Sequence, residues 1–588
     1  MSGLRRIVNN TLISLVGQLV TWTSTLGLTI AYGRFLGDFQ FGELYFAITF
    51  VSLIGFPVEF GFNQQLTRDV AEKPEKARPY LWNTLIIKTA LWSASYMVIL
   101  LLIKALGYSQ EQWTIVAICG GTLLSGSIVN AFAALHYAFE RTVFPSVGMM
   151  LEKALSALVG FLLLKNGASV QIMAFVLLGG SLIDALWVAF WFFRLVGGRP
   201  VFDTKTLKQL LHNSIPFVVY GVLGVIYYRI DTILLSLMTN TNVVGWYGAG
   251  YRLFDTLLFI PNLILNAVMY PVFSKLASTS KEALRTAVEK CMNLLLLCSF
   301  PIAAFMIAGA SPLIGFLYHR TDFLNSVPVV RALAPGLIFL YINTLFNSII
   351  VSTRGEKKIP LMAAAALVFN LGLNLLLIPR FEQNAAAVVT SLTELLLLCI
   401  SALFVPRYLL PARSLLVAMK TLLASLLMGA VIFYLQRLSI FLLFPLGTLI
   451  YISLATLLRT IPTEDMQSLF QAIKGKGKRA SLDAALSTIA EENIYTQVTD
   501  PRLPAIKAKR TIAEASVDYG EVAVDQLATL PLVPATPTHS HSVPQPLKSG
   551  VETSAEEEES EEDAITLRLP RVNGKILLPK TTFQIEGS

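Results

Sequence analysis

The sequence predicts an all-α membrane protein of about fourteen transmembrane helices, arranged as two six-helix lobes in parallel pseudo-repeat, with a further C-terminal helix pair and a disordered tail. Three observations carry this prediction. Of 588 residues, 54% are hydrophobic and only 14% charged, and the mean hydropathy is +0.62, whereas an ordinary soluble domain is about 25% charged. The apolar residues recur in blocks of roughly 20 to 25, each long enough as a helix to cross a hydrocarbon core of about 30 Å. Finally, the second half of the membrane region weakly echoes the first. A β-barrel would show short alternating strands instead.

About fourteen blocks precede residue 460, centred near residues 20, 51, 92, 125, 154, 182, 226, 258, 298, 339, 369, 395, 426 and 450. Arg5 and Arg6 precede the first block and no small-residue cleavage site follows it, so it reads as a retained span, not a signal peptide. The loops alternate in Lys and Arg content. One set holds Arg68, Lys73, Lys76, Arg78, Arg141, Arg194, Arg199, Lys205, Lys208, Lys275, Lys281, Arg285, Lys290, Arg354, Lys357, Lys358, Arg407 and Arg413. The other holds Arg34, Lys104, Lys165, Arg320, Arg380 and Arg437. The richer set, and with it both termini, is expected in the cytoplasm. The net charge of +8 then reflects topology and attraction to anionic headgroups, and nucleic acid is not an expected partner.

The echo aligns RFLGDFQFGELYFAITFV with SLMTNTNVVGWYGAGYRLF, so that Gly42 falls on Gly245. In both copies a span ends, a short polar loop follows, and an apolar residue with Gly opens the next span. Each copy holds an even number of spans, so the lobes share one orientation and relate by an axis along the membrane normal. The expected domains are residues 1–200 and 201–412 for the lobes, 413–461 for an additional hairpin and 462–588 for a disordered cytoplasmic tail. In the tail long apolar runs vanish and Pro, Ser, Thr and Glu accumulate, as in LVPATPTHSHSVPQP and SAEEEESEED. Its basic start, KGKGKR, either lies against the membrane surface or is an ordinary stop-transfer flank. Its apolar-rich end, ITLRLPRVNGKILLP, is a candidate partner-binding segment.

Several chemistries find no support. Cys119, Cys291, Cys298 and Cys399 lie in or beside spans without CxxC pairing, which predicts free thiols acting as small apolar residues. The histidines have no zinc-ligand spacing, and no phosphate loop ends in Lys-Ser/Thr, so no metal, cofactor or directly bound ATP is expected. No large external loop carries the carboxylate cluster a sugar-transfer enzyme needs, so no enzymatic activity is expected.

Several segments resemble the polysaccharide (O-antigen type) flippases of the multidrug/oligosaccharidyl-lipid/polysaccharide exporter superfamily: NNTLISLVGQ, FGELYFAITF, TRDVAEKPEKARPYL, IPFVVYGVLGVIYYRIDTILL, VGWYGAGYRLFDTLLFIPN and NLGLNLLLIPRF. The resemblance covers residues 1 to 410 in order. Leu44 stands where the first lobe of that family commonly has Tyr, FEQNAAAVVTS lacks the usual glycines, and the tail lies outside the family pattern. The resemblance implies twelve to fourteen helices in two bundles, residence in a bacterial cytoplasmic membrane, and movement of lipid-linked sugars across it. The expected cargo is a polyprenyl-diphosphate oligosaccharide, flipped for polysaccharide export by alternating access, with a proton or Na⁺ as coupling ion and polysaccharide-assembly proteins as partners through the tail. Two rivals remain: an ion-coupled drug exporter of the same fold, and a membrane scaffold for polysaccharide synthesis.

Charges inside spans cost about 2.5 to 3.5 kcal/mol each on insertion scales, so each should pair, face a wet cavity or lie near an interface. Asp231 and Arg252 are equally far from the loop joining the seventh and eighth blocks, which opens an interhelical ion pair between them. Arg229, two residues from Asp231, is on another face and is expected to meet the cavity and attract a diphosphate, with Arg252 contributing. Alternatively these charges, with Asp255, form a structural cluster that locks the two helices. Glu152, Lys153 and Asp184 share a second depth. Lys153 is expected to pair with Asp184 and leave Glu152 to take up a proton or Na⁺, or else all three close into a network. Lys88 faces either the cavity or the cytoplasmic headgroups. Glu394, level with Asn370 and a turn from Asn374, either holds a cation or hydrogen-bonds as packing glue. The expected substrate-binding residues are therefore Arg229, Arg252, Lys88 and Lys153, and the expected ion-coupling residues Asp231, Glu152, Asp184 and Glu394. Pro216, Pro261, Pro271, Pro301 and Pro335 mark expected kinks.

Overall fold

The computed structural model describes residues 3–460, apart from residue 60, residues 198–200 and residue 412. The expected tail, 462–588, lies outside the described residues. Within them the chain is helical, without strands: α1 (Gly3–Ile54), α2 (Phe62–Glu72), α3 (Ala77–Ala105), α4 (Gln110–Ala138), α5 (Val143–Lys165), α6 (Val170–Leu195), α7 (Thr204–Met238), α8 (Thr241–Leu257), α9 (Phe259–Asn262), α10 (Tyr270–Thr279), α11 (Lys281–Ala308), α12 (Ala310–Tyr318), α13 (Ser326–Ser352), α14 (Ile359–Phe404), α15 (Ser414–Tyr434) and α16 (Ile440–Leu457). Nine described helices are long and apolar enough to cross a membrane, or ten if a bent pair is one span. All fourteen expected centres fall within or at the end of a helix.

Two of these helices are too long for one crossing. At 1.5 Å per residue, the 52 residues of α1 and the 46 of α14 each exceed a hydrocarbon core of about 30 Å roughly twofold. Each turns back on itself. In α1 the backbone leaves helical geometry at Gly37, with φ at 81°, a conformation glycine adopts without steric cost. Before that point Ser14 meets Ser146 of α5 and Gly17 lies against Ser146 and Met150. After it, the carbonyl of Glu43 accepts a hydrogen bond from Gln112 of α4, and Gly55 approaches Leu123. The first arm thus follows α5 and the second follows α4, whose directions oppose. In α14 the break is at Glu382, φ 48°, and Asn370 of the first arm donates to Thr393 of the second, 3.3 Å away.

Side-chain caps start several helices: Ser109 accepts from Gln112 N at α4, Asn240 from Val243 N at α8, Ser280 from Ala283 N at α11. Asp203 caps α7, accepting from Lys205 N and Thr206 N. Hydrogen bonds from the Thr206 hydroxyl and these amides hold its carboxyl below the usual carboxylate range. Around Pro261 the helix is broken into the short α9 and a π-helical stretch, Leu263–Met269, the kind of local widening that a proline imposes. Pro301 and Pro335 lie inside α11 and α13.

Helices α1, α4, α5 and α6 pack together, as do α7, α11, α13 and α14, while α1 also packs on α8 and α7. α15 rests on α11 and carries α16, through a small cluster of Ala308, Met428, Ile432 and Leu443. The outer faces are apolar: Leu403, Tyr434 and Leu457 are 82%, 87% and 77% exposed, which water would penalise and a bilayer does not. The protein is a multi-pass integral membrane protein. All four cysteines are free, with Cys119 and Cys291 buried and Cys399 on the outer surface.

Candidate functional site

α1 and α8 meet through their glycines. A Cβ on Gly42 would lie 2.2 Å from the carbonyl oxygen of Thr241, and one on Gly245 would lie 2.2 Å from that of Asp38. The Asp38 carboxylate, beside this contact, accepts from Asn242 Nδ2 at 3.0 Å and Trp246 Nε1 at 2.8 Å. Arg34 adds hydrogen bonds to the carbonyls of Phe316 and Leu317 at the end of α12. Docked in this way, α8 projects Arg252, less than two turns further on, towards the helices of the first half.

There it borders a cavity of about 500 Å³, otherwise walled by α1, α4, α5 and α6 with Glu59, which follows the 3-10 turn Phe56–Val58 after α1. Among the described residues bordering it, Arg252 alone comes from beyond α6. Its Nε lies 3.3 Å from Thr29 Oγ1, and no carboxylate among the described residues forms an ion pair with it. Around it stand the hydroxyls of Thr25, Thr29, Tyr32, Ser52, Thr122, Ser127, Ser156 and Ser181. The Tyr32 hydroxyl is buried without a hydrogen-bond partner. A cation amid hydroxyls, several of which donate to their own helix backbone and keep their lone pairs for the cavity, can bind an anion and accept hydrogen bonds from a polyol.

The structure redistributes the expected charge pairs. Asp231 does not pair with Arg252: its oxygens accept from Tyr247 and Thr232. Arg229 instead lies 3.5 Å from Asp255 and near the Tyr228 ring, and it is absent from the cavity wall. Arg252, expected as the auxiliary cation, is the one in the cavity. Equal distance from a hairpin loop fixes depth but not the direction around the helix axis, and the direction decided both pairings.

The same error applies to the second group. Lys153 pairs with its neighbour Glu152, Nζ to Oε1 at 2.6 Å, and not with Asp184. The carboxylate left over is therefore Asp184, not Glu152. All three border the cavity. Asp184 is 2% exposed and its Oδ1 has no hydrogen-bond partner.

Lys88 faces neither the cavity nor the headgroups. It is buried, donating to Glu59 Oε2 at 3.0 Å and to the Ser127 carbonyl at 3.2 Å. Glu59 accepts further from Asn63 and Asn130 and itself borders the cavity, so Lys88 holds and neutralises a wall residue. Glu394 accepts from Tyr227 at 2.5 Å and Asn343 at 2.8 Å, while Asn374 turns to Asn370. This is the packing-glue arrangement.

Glu59 and the hydroxyl lining were not anticipated from the sequence. A signal existed: Cys119, Thr122, Gly126, Ser127 and Asn130 recur along one face of α4 at helical spacing.

Residues 7–277 match the family described as polysaccharide biosynthesis protein, and residues 216–376 match MatE. The chain is 28% identical over 195 residues to an uncharacterised membrane protein of Methanocaldococcus jannaschii, covering 33% of this chain and 38% of that one. It is 19% identical over 370 residues to a probable low-salt glycan biosynthesis flippase of Haloferax volcanii, covering 63% and 76%. Among solved structures it is similar to the lipid II flippase MurJ in an inward closed conformation, with a TM-score of 0.61 at 17% identity over 75% of this chain and 98% of that one. It is also similar to an inward-facing multidrug resistance MATE family transporter of the MOP superfamily, with a TM-score of 0.50 at 14% identity over 69% and 94%. These likenesses establish the fold.

Proposed function

We propose that this chain, which belongs to the polysaccharide flippase group of the multidrug/oligosaccharidyl-lipid/polysaccharide exporter superfamily, is a secondary transporter flipping a polyprenyl-diphosphate-linked oligosaccharide from the inner to the outer leaflet. The observation that carries the reading is Arg252, a cation that forms no ion pair among the described residues, in a cavity of about 500 Å³ bordered by hydroxyls. Its guanidinium suits a diphosphate, the hydroxyls suit sugars, and the lipid tail stays in the bilayer. Two six-helix lobes, residues 1–200 and 201–412, rock about the α1–α8 contact so that the cavity opens inward and then outward. The protein resides in a bacterial cytoplasmic membrane with both termini in the cytoplasm, and it performs no covalent chemistry. An ion gradient drives the cycle, and polysaccharide-assembly proteins bind the tail.

The family names of its relatives support this cargo. The MatE match and the MATE-like fold favour a second reading, an exporter of small cationic molecules working through the acids of the same cavity. Reconstitution in vesicles separates the two: the first reading requires leaflet exchange of a polyprenyl-diphosphate sugar that Arg252→Ala slows by about tenfold or more, the second requires uptake of a cationic dye that Arg252→Ala leaves intact. Deleting residues 462–588 tests whether the membrane part only scaffolds other proteins; a transporter keeps leaflet exchange without them.

A further inference from the structure

Asp184 occupies an unusual position. Besides the cavity that holds Arg252, it borders a second cavity of about 530 Å³, lined by Asn63, Gln64, Thr67 and Arg68 of α2 and by Tyr137 and Pro145 where α4 passes to α5. The two spaces share four wall residues, Val129, Asn130, Met149 and Asp184. Arg68, 72% exposed, places the second cavity at the cytoplasmic end that the charge distribution of the loops predicts. Asp184 thus stands in the partition between the substrate cavity and a second space opening towards the cytoplasm.

Among the described residues neither of its oxygens forms a hydrogen bond or an ion pair. Gly148 of α5 makes room for it: a Cβ there would lie 2.1 Å from Asp184 Oδ1. The charged groups facing it from α5 are Glu152 and Lys153, already bound to each other. From the end of α4 comes the Tyr137 hydroxyl, and across the second cavity Arg68, paired with Asp69. The other expected ion-coupling carboxylates are all engaged: Asp231 with Tyr247 and Thr232, Glu394 with Tyr227 and Asn343, and Glu152 with Lys153.

We propose that Asp184 is the proton-coupling carboxylate of the transport cycle, satisfied in turn by glycan hydroxyls and by a proton, which it releases to the cytoplasm through the second cavity. An ionised carboxylate with an unpartnered oxygen is costly to occlude from water. A glycan in the cavity supplies donors, so the loaded carrier closes with Asp184 ionised. The empty carrier has no such donors and closes only once a proton has neutralised the acid. Sugar and proton become alternative ligands of one side chain, and outward glycan movement is exchanged for inward proton movement. This inference rests on the transport reading above and adds to it the coupling ion, the residue and the exit route.

The test uses the full-length protein in vesicles, with a polyprenyl-diphosphate N-acetylglucosamine carrying a fluorescent group as probe and an impermeant quencher to report its leaflet. A tenfold inward proton gradient should accelerate outward flipping by wild type several-fold. Asp184→Asn should lose that acceleration, whatever exchange it retains being equal with and without the gradient, and Asp184→Glu should keep it. A wild-type response in Asp184→Asn overturns the proposal, as does wild-type flipping that ignores the gradient. A wild type that moves no probe overturns the transport reading instead. If Asp184→Asn is monodisperse but inert, labelling decides. Dicyclohexylcarbodiimide should attach to Asp184 of wild type in acid, and less so in excess N-acetylglucosamine diphosphate, while no adduct at any pH rejects the proposal.

Discussion

Gly42 and Gly245, which occupy corresponding positions in the two halves of the internal echo, touch each other: a Cβ on Gly42 would lie 2.9 Å from the backbone nitrogen of Gly245. Residues related by an approximate twofold meet only near its axis, so this contact marks where the two halves cross. Such close approach of helix backbones is available to glycine alone.

Gly42→Val should therefore wedge α1 from α8. We expect leaflet exchange to fall at least tenfold, because one closed state is denied. A cysteine placed at Asn242 should at the same time react faster with an impermeant thiol reagent from outside. Unchanged labelling and unchanged exchange would show that the α1–α8 contact does not open and close during transport.

Lys88 and Glu59 form a pair in which the lysine is sealed, at 1% side-chain exposure, and the glutamate is 31% exposed. Removing Glu59 strands a buried cation. Glu59→Gln should destabilise the protein by about 3 kcal/mol, the low end for a broken buried pair because one partner is partly hydrated. The double variant Glu59→Gln with Lys88→Met should recover most of that loss in a thermal unfolding assay. Additive losses would mean that the two side chains do not interact.

The Asp203 cap supplies a pH dependence. Its carboxyl is held below the ordinary range in the folded chain, so its contribution is fully present above the ordinary carboxyl pKa of about 3.9 and fades as pH falls through the lower folded value. Amide exchange at Lys205 and Thr206 should be faster in Asp203→Ala than in wild type at neutral pH. The two should converge in strong acid. A difference that persists there would assign the protection to something other than the ionised cap.

The fold was legible because the bilayer imposes a coarse rule: apolar blocks of a fixed length must be helices. Even the reversal at Gly37 and the correspondence of Gly42 with Gly245 follow from such patterns. The site was legible only along one coordinate. Hairpin counting placed Asp231 level with Arg252, and their neighbours Arg229 and Asp255 do meet across the two helices. What it could not supply was azimuth, since a side chain's direction depends on how whole helices rotate against their neighbours. Hence Arg252, not Arg229, borders the cavity, and Glu152, not Asp184, pairs with Lys153. The hydroxyl lining escaped notice because Ser and Thr in spans are common and cost little to bury when bonded to their own helix backbone, as Ser127 is.

Arg252 is the centre of the account, and a charge-conserving series tests it. Arg252→Lys keeps the cation but loses the planar fork, so transport should fall less than in Arg252→Ala, which should lose about tenfold or more, as expected for a charge-assisted contact worth about 1.5 to 3 kcal/mol. The most direct measurement is leaflet exchange of the fluorescent polyprenyl-diphosphate sugar by purified protein in vesicles, wild type beside Arg252→Ala. Rapid exchange by wild type and near-background exchange by the variant is the predicted result; equal rates would contradict the assignment of the diphosphate to Arg252, and no exchange by wild type under any ion gradient would contradict transport itself.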